Sequence, residues 1–326
     1  MKYRKFSDLG WNVSEIGLGC WGIGGNWDDV RDDEAQKVLF KAVDNGINFF
    51  DTSDVYGDGR SEKFLGKLIK STSEKIYVAT KVGQRLRPYI PEGYNFKTLS
   101  KFVDRSLKNL GVNCIDLLQL HCPPKEICSK KELYEMMDEF VKIGKISNYG
   151  VSVFNLSEAM SAIKFPNVKS IQIVFNIFRQ KPSEKFFYEA KKRNVAIIVR
   201  GSLASGLLTG TIDKNSKFNT NDHRNYNFKG KSFDIGDTFS GVDFDKGLEA
   251  VENLKKILPK KFNLTDLALK WILMHDEISV VIPGATNQLQ VDINSKASEL
   301  EEISSILPEI NSIYEKLIKP DVHHRW

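Results

Sequence analysis

Cysteine is scarce in this chain. Cys20, Cys114, Cys122 and Cys128 are the four cysteines among 326 residues, and none belongs to a CxxC pair. A disulfide framework is therefore not expected, and the thiols read as buried or incidental groups in a reducing compartment. No apolar run approaches the roughly 18 residues that a membrane-spanning helix requires. The opening stretch MKYRKFSDLG carries no apolar core of a signal peptide. A cytoplasmic location is expected. No dense basic block occurs, and the net charge is only +5, from 47 basic and 42 acidic side chains. That argues against nucleic acid as a partner. His323 and His324 with Asp321 match no standard zinc spacing, so no metal site is expected. A Gly-rich dinucleotide turn is also missing: the GxGG near residue 22 does not open a helix after a strand. With no break in composition and no low-complexity segment, residues 1–326 read as one domain.

What is present is an ordinary soluble composition, 41% hydrophobic and 27% charged, arranged in a repeating rhythm. Residues 2–14 alternate around Asp8-Leu9-Gly10, which predicts a small β-hairpin. Eight short apolar runs follow: 14–21, 47–50, 76–81, 115–120, 147–154, 170–175, 195–200 and 279–283. Helical patterns separate them. Asp32 or Asp33 is expected to cap a helix whose apolar face is Ala35, Val38, Leu39, Ala42 and Val43. Further helices are expected at 61–70, 98–110, 131–143, 156–164, 183–193, 244–257, 264–274, 287–295 and 299–318. Eight buried strands alternating with helices predict a (β/α)8 TIM barrel with an N-terminal β-hairpin and long loops on its C-terminal face. An open doubly wound sheet is the alternative, and the missing dinucleotide turn speaks against it.

In a parallel barrel the chemistry lies where strands end. The stretch INFFDTSDVYG releases Asp51, Asp54 and Tyr56 from the tip of one strand. IYVAT runs into Lys81 and IDLLQL into His121. Tyrosine is a weak acid, and an adjacent ammonium favours its phenolate. An adjacent Asp51 would in turn hold Lys81 charged and oriented. Each residue also has a bland reading: a cap, a loop aromatic, a solvated strand end, a structural histidine. Their joint placement at strand ends is what argues for a site. Long insertions at 84–97 and 205–240, with the tail KPDVHHRW, read as candidate substrate walls carrying Arg85, Arg87, Tyr89, Tyr94, His223, Arg224, Tyr226, Phe228 and Trp326.

The segments GLGCWGIGG, INFFDTSDVYGDGRSEKFLG, VATKVG, DLLQLHCP, GVSVFN, SIQIVFN, LASGLLTG and VIPGATN occur in an order that closely resembles the aldo-keto reductase family, over about residues 3–315. The resemblance implies carbonyl reduction with a nicotinamide cofactor and a catalytic tetrad of Asp51, Tyr56, Lys81 and His121: hydride addition leaves charge on the carbonyl oxygen, Tyr56 protonates it, Asp51 holds Lys81 charged beside Tyr56, and His121 donates a hydrogen bond to that oxygen. It also implies cofactor contacts from Trp21, Ser152, Gln172, Arg200, Ser202, Leu203 and Gly206, and from Gly284, Thr286, Gln290 and Asn294 toward the adenosine end. Three positions depart from the family pattern. Val153 follows Ser152 where asparagine is common, Arg200 stands where many members stack an aromatic ring, and 282–294 offers no cation for a 2′-phosphate. NADP(H) is expected from the family's habit, with NAD(H) open. Two other readings compete. One is a nicotinamide-binding regulatory protein resembling the channel-associated β subunits. The other is a Schiff-base enzyme using Lys81, which needs a depressed lysine pKa. The substrate is expected to be a small carbonyl compound: the arginines and histidine of the long loops suit a polar or anionic one such as a sugar derivative, and their aromatics equally suit an aromatic aldehyde or a steroid-like ketone.

Overall fold

The computed structural model describes residues 1–25 and 30–326. The GxGG loop extends into Asn26 and Trp27, which lie outside the described residues. Strands β1 (Tyr3–Phe6) and β2 (Trp11–Ser14) pair antiparallel, Phe6 facing Trp11 across the turn. Eight parallel strands follow: β3 (Leu18–Gly19), β4 (Phe49–Asp51), β5 (Tyr77–Val82), β6 (Ile115–His121), β7 (Ile146–Ser152), β8 (Val168–Val174), β9 (Ala196–Arg200) and β10 (Ile278–Val281). They pair in strict chain order from β3 to β10. The two ends meet: Ile16 bridges Val281, Gly19 bridges Gly284, and the Gly19 N–H donates to the Pro283 carbonyl at 3.0 Å. The sheet is thus closed into a (β/α)8 barrel.

Helices α1 (Asp32–Asp44), α2 (Arg60–Ser71), α3 (Phe96–Leu110), α4 (Lys131–Lys142), α5 (Leu156–Ala162) and α6 (Phe186–Lys192) alternate with the strands. The short α7 (His223–Tyr226) sits in the long loop after β9. It precedes α8 (Phe244–Ile257), α9 (Leu264–Leu273), α10 (Gln288–Lys296), α11 (Leu307–Ile313) and α12 (Lys319–Val322). Two expectations need correcting. Neither Asp32 nor Asp33 caps α1: Arg31 is the cap residue, and both aspartates sit in the first turn, where their charge complements the helix dipole. The single helix expected over 299–318 is broken. It begins as a helix only at Leu307, with Pro308 in the first turn, passes through a π turn at Tyr314–Ile318 and continues to Val322. Proline lacks the N–H that a helix interior needs and suits a first turn.

Two layers of side chains fill the fold. Strand residues facing outward, among them Phe50, Val78, Leu118 and Val151, pack under the helices. Those facing inward, Phe49, Tyr77, Ala79, Leu117, Ala196, Ile198 and Val280, fill the barrel, and Phe6 and Val13 of the hairpin close its lower end. Phe6 stacks on Trp11 and on Phe49 at centroid distances of 5.5 and 5.4 Å, and Trp11 stacks on Tyr77 at 4.4 Å. Side chains in a strand alternate with a period of two. The inward series 49, then 77 and 79, then 117, then 196 and 198 therefore continues at the upper rim as Asp51, Lys81, Gln119, His121 and Arg200. The fold places its polar residues as the top layer of its own core.

Candidate active site

Asp51 is the last residue of β4, Lys81 lies in β5, and His121 ends β6. Tyr56 follows in a tight turn after β4. That turn is fixed by glycine. Gly57 has φ +57°, and a Cβ there would lie 1.9 Å from the Gly24 carbonyl oxygen. The glycines of the first loop thus let one loop backbone press on another, which seats Tyr56.

Lys81 is fully buried. Its ammonium donates to Asp51 Oδ1 at 2.5 Å, to the Thr52 carbonyl at 2.8 Å and to the Tyr56 hydroxyl at 3.2 Å. Asp51 Oδ2 accepts from Gln119 Nε2 at 3.0 Å and from Gln172 Nε2 at 2.7 Å. The buried carboxylate is therefore paired and hydrogen-bonded on both oxygens, as a buried charge must be. Burial pulls the Lys81 pKa down, but Asp51 and Tyr56 outweigh it and hold the ammonium above its ordinary value. That is the opposite of what a Schiff-base lysine needs. The Tyr56 hydroxyl is raised above its usual value by burial, against the opposing pull of Lys81. Tyr56 is thus a neutral acid here, and the ammonium beside it stands ready to stabilise the phenolate. His121 is pushed well below its usual pKa by burial and by Lys81 and Arg200, so its ring is neutral. It meets the Tyr56 ring edge-on at 6.0 Å. The tetrad expected from the sequence is one contiguous cluster.

The other expected residues divide into three groups. Trp21 stacks on Tyr56 at 6.0 Å. Ser152 ends β7 and Gln172 lies beside it in β8, their side chains 3.5 Å apart. Gln172 spends its amide N–H on Asp51, so it supports the tetrad as well as facing the site. Arg200 ends β9; it pairs with Asp237, donates to the Val153 carbonyl at 3.0 Å and lies 5.9 Å from the Phe154 ring centroid. Its Nε is buried with no partner among the described residues. Ser202, Leu203 and Gly206 form the turn after β9, in which Gly201, Ala204, Ser205 and Gly206 all have positive φ. Such a turn directs successive backbone N–H groups to one side, a form suited to anions. At the end of β10, Gln290 Oε1 accepts from the Thr286 N–H at 2.8 Å, and Asn294 Nδ2 donates to the Gly284 carbonyl at 3.2 Å. These four residues shape one loop at the mouth.

The long loop after β9 is a folded wall. His223 of α7 lies 4.7 Å from Trp21, and its Nδ1 is 3.1 Å from the Thr238 hydroxyl. Asn176 donates to both the Gly201 carbonyl and Ser240 at 2.7 Å. In the 84–97 insertion, Gln84 donates to the His121 carbonyl at 3.1 Å, and the Tyr89 hydroxyl donates to the Cys122 carbonyl. Arg85 pairs with Asp58 at 2.6 Å and Arg224 with Asp222 at 2.5 Å. The tail packs one layer out, with Trp326 under the Arg179 guanidinium at 3.8 Å and His323 between Tyr314 and Glu184. Among the described residues no cluster suits a metal ion, and no helix is long and apolar enough to cross a membrane.

Sequence reasoning passed over Ser53, Gln119, Asp222 and Asp237. Gln119 carried a signal, as a lone amide inside an apolar strand two residues before His121.

At the C-terminal rim of the closed parallel barrel a buried Lys–Asp pair stands against a tyrosine. Residues 15–315 match the model of the "Aldo/keto reductase family", and the chain belongs to that family. It is 30% identical over 328 residues to the aldo-keto reductase YhdN of Bacillus subtilis, covering 99% of this chain and 96% of that protein. It is 28% identical over 308 residues to an aldo-keto reductase of Schizosaccharomyces pombe whose name specifies NADP(+), covering 91% of this chain and 87% of the other. Among solved structures, the glycerol dehydrogenase AKR11B4 of Gluconobacter oxydans superposes with a TM-score of 0.80 at 25% identity, covering 97% of this chain and 96% of that one.

Proposed function

We propose that the chain is an NAD(P)H-dependent carbonyl reductase, converting an aldehyde or ketone to an alcohol with Tyr56 as proton donor. The observation that carries this reading is the Lys81 ammonium, set at once 2.5 Å from Asp51 and 3.2 Å from the Tyr56 hydroxyl. A bound reduced nicotinamide supplies the hydride. As hydride reaches the carbonyl carbon, the oxygen gains charge and takes the Tyr56 proton. Lys81 stabilises the phenolate left behind, and Asp51 keeps Lys81 charged and aimed. Tyr56 is then reprotonated from solvent.

The residues at the mouth fit such a cofactor. Ser152, Gln172 and the unpartnered Arg200 Nε supply polar groups for a carboxamide, and the 201–206 turn suits the pyrophosphate. Arg200 is already matched by Asp237, so it faces the uncharged end of a nucleotide rather than a phosphate. Thr286, Gln290, Asn294 and Gly284 frame the adenosine end. NADP(H) is the favoured cofactor on the family's usage and the name of the yeast relative, with NAD(H) second because 282–294 brings no cation. Arg85 and Arg224 are paired within the protein. The substrate is therefore read as a small uncharged carbonyl compound rather than an anion, handled by one folded unit spanning residues 1–326 in the cytoplasm.

Fluorescence titration with NADPH and NADH, followed by a reactive aldehyde, tests this. Binding followed by nucleotide oxidation is the expected result. Binding without turnover across a broad aldehyde and ketone panel moves the protein to the regulatory, channel-β-like reading, and no binding of either nucleotide removes both.

A further inference from the structure

Asp54 is fully buried two residues before Tyr56. Its Oδ2 has no hydrogen-bond partner among the described residues, and its Oδ1 meets only the Ser53 hydroxyl at 3.3 Å. Arg85 and Arg105 reach the Asp54 carbonyl oxygen at 3.3 and 3.1 Å, while their carboxylate partner is Asp58. A buried carboxylate left with a bare oxygen is a poor place for a negative charge. Ser53 is the bridge from this acid to the tetrad, because its Oγ lies 3.1 Å from His121 Nδ1. It is also 3.4 Å from the Lys81 carbonyl and accepts from the Val55 N–H at 3.4 Å.

One hydroxyl proton serves these acceptors, and the state of Asp54 decides where it points. An ionised Asp54 attracts it, since a charge-assisted bond is the stronger one. Ser53 Oγ then accepts from His121 Nδ1–H, and Nε2 carries only a lone pair. A neutral Asp54, protonated on Oδ1, donates to Ser53 instead. Ser53 passes its own proton toward His121 Nδ1, and Nε2 carries the ring hydrogen. Nδ1 is occupied by Ser53 in both states, so Nε2 is the nitrogen left for a bound oxygen. We propose that Asp54, acting through Ser53, is a positioning residue that selects the tautomer of His121 and so sets whether the histidine presents a proton or a lone pair to a bound carbonyl.

The groups facing Asp54 give the switch its range. Burial and Glu62 of α2 oppose ionisation; Arg85 from the loop after β5 and Arg105 of α3 favour it; together they place the carboxyl at about 7. Lys81 of β5 is matched by Asp51, Asp58 is matched by both arginines, and the His121 ring of β6 is neutral. Below that pH the donor form of His121 prevails, and above it the acceptor form.

The kinetic arm of the test rests on the reductase reading; the spectroscopic arm does not. Two-bond 1H–15N spectra of 15N-histidine protein, titrated from pH 5.5 to 8.5, report each imidazole tautomer, and His121→Asn identifies the resonance. The expected result is passage of His121 from Nε2–H to Nδ1–H with a midpoint near 7 in the parent, and no such passage in Asp54→Asn or Ser53→Ala. Carbonyl reduction at saturating substrate should fall by about tenfold per pH unit above the same midpoint, and Asp54→Asn should lack that bend. A single His121 tautomer across the range, or an unchanged transition in Asp54→Asn, overturns the proposal. If the tautomer passes as expected and no carbonyl is reduced, the reductase reading fails and the switch stands.

Discussion

At the residue scale the site is governed by how burial treats each ionisable group. Lys81 and Asp51 keep their charges because each satisfies the other and amides complete the shell. Tyr56 stays protonated because burial outweighs the pull of the adjacent Lys81 ammonium. Tyr56→Phe removes the transferable proton while preserving the ring that stacks on Trp21. The expected result is a loss of kcat of at least about 100-fold with nucleotide affinity changed less than about threefold, read by stopped-flow turnover and fluorescence titration. Retained turnover would remove Tyr56 from the role. Asp54 yields a stability prediction. Its carboxyl rises from 3.8 to about 7 on folding, so the folded chain binds more protons than the unfolded one between those values. Stability is lost as pH rises through that window, and the loss is complete above it. Asp54→Asn, which never ionises, should gain on the parent progressively from pH 4 to 7 and then hold that gain, at most about 4 kcal/mol relative to low pH. Urea unfolding at pH 4.5 and pH 8 compares them; an equal difference at both pH values would exclude the effect.

At the element scale the ends of β8 and β9 and the stretch 234–241 act together. Arg200 reaches from β9 to Asp237, Asn176 joins Gly201 to Ser240, and Ser205 donates to the Asp237 carbonyl at 3.1 Å. Breaking a partly buried ion pair on one side leaves the other charge poorly compensated, at less cost than for a fully buried pair, since both side chains here keep some exposure to solvent. Asp237→Asn should therefore destabilise by about 2–4 kcal/mol and expose 205–240 to limited proteolysis before the barrel is cut. A digestion pattern like the parent's would mean the ion pair does not hold the wall. This wall was legible in the sequence only as a long loop. Its short helical turns are fixed by distant partners, Trp21 for His223 and Arg325 for the Gly241 carbonyl, which no local periodicity records. The strands, by contrast, were plain as apolar runs, and the residues at their tips were plain as breaks in those runs. Their parity was hidden, because strands buried on both faces are apolar at every position. Asp51, Lys81 and His121 could be placed at strand ends from the sequence, but the Gln119 and Gln172 amides that complete the Asp51 shell emerge only from the register that sets β5, β6, β7 and β8 side by side.

At the scale of the whole molecule the barrel separates what stabilises from what reacts. The inward column runs from Phe6 and Trp11 at the closed end, through Phe49, Tyr77, Ala79 and Leu117, to the Asp51 and Lys81 layer at the open end. Packed interiors transmit volume changes locally, and a vacated site collapses only in part. Phe6 is fully buried and stacks on both Trp11 and Phe49, while the Lys81–Asp51–Tyr56 bonds are made wholly by residues above it. Phe6→Ala should cost about 3–5 kcal/mol of stability through the cavity it opens. Turnover per folded molecule should stay within about twofold of the parent, because a change at the lower end of a barrel bears on stability and one at the upper end on chemistry. Thermal unfolding measures the first and active-site titration with bound nucleotide the second. A large fall in turnover per folded molecule would show that the hairpin plug and the tetrad are mechanically coupled through the column, and that the two ends of this barrel do not act independently.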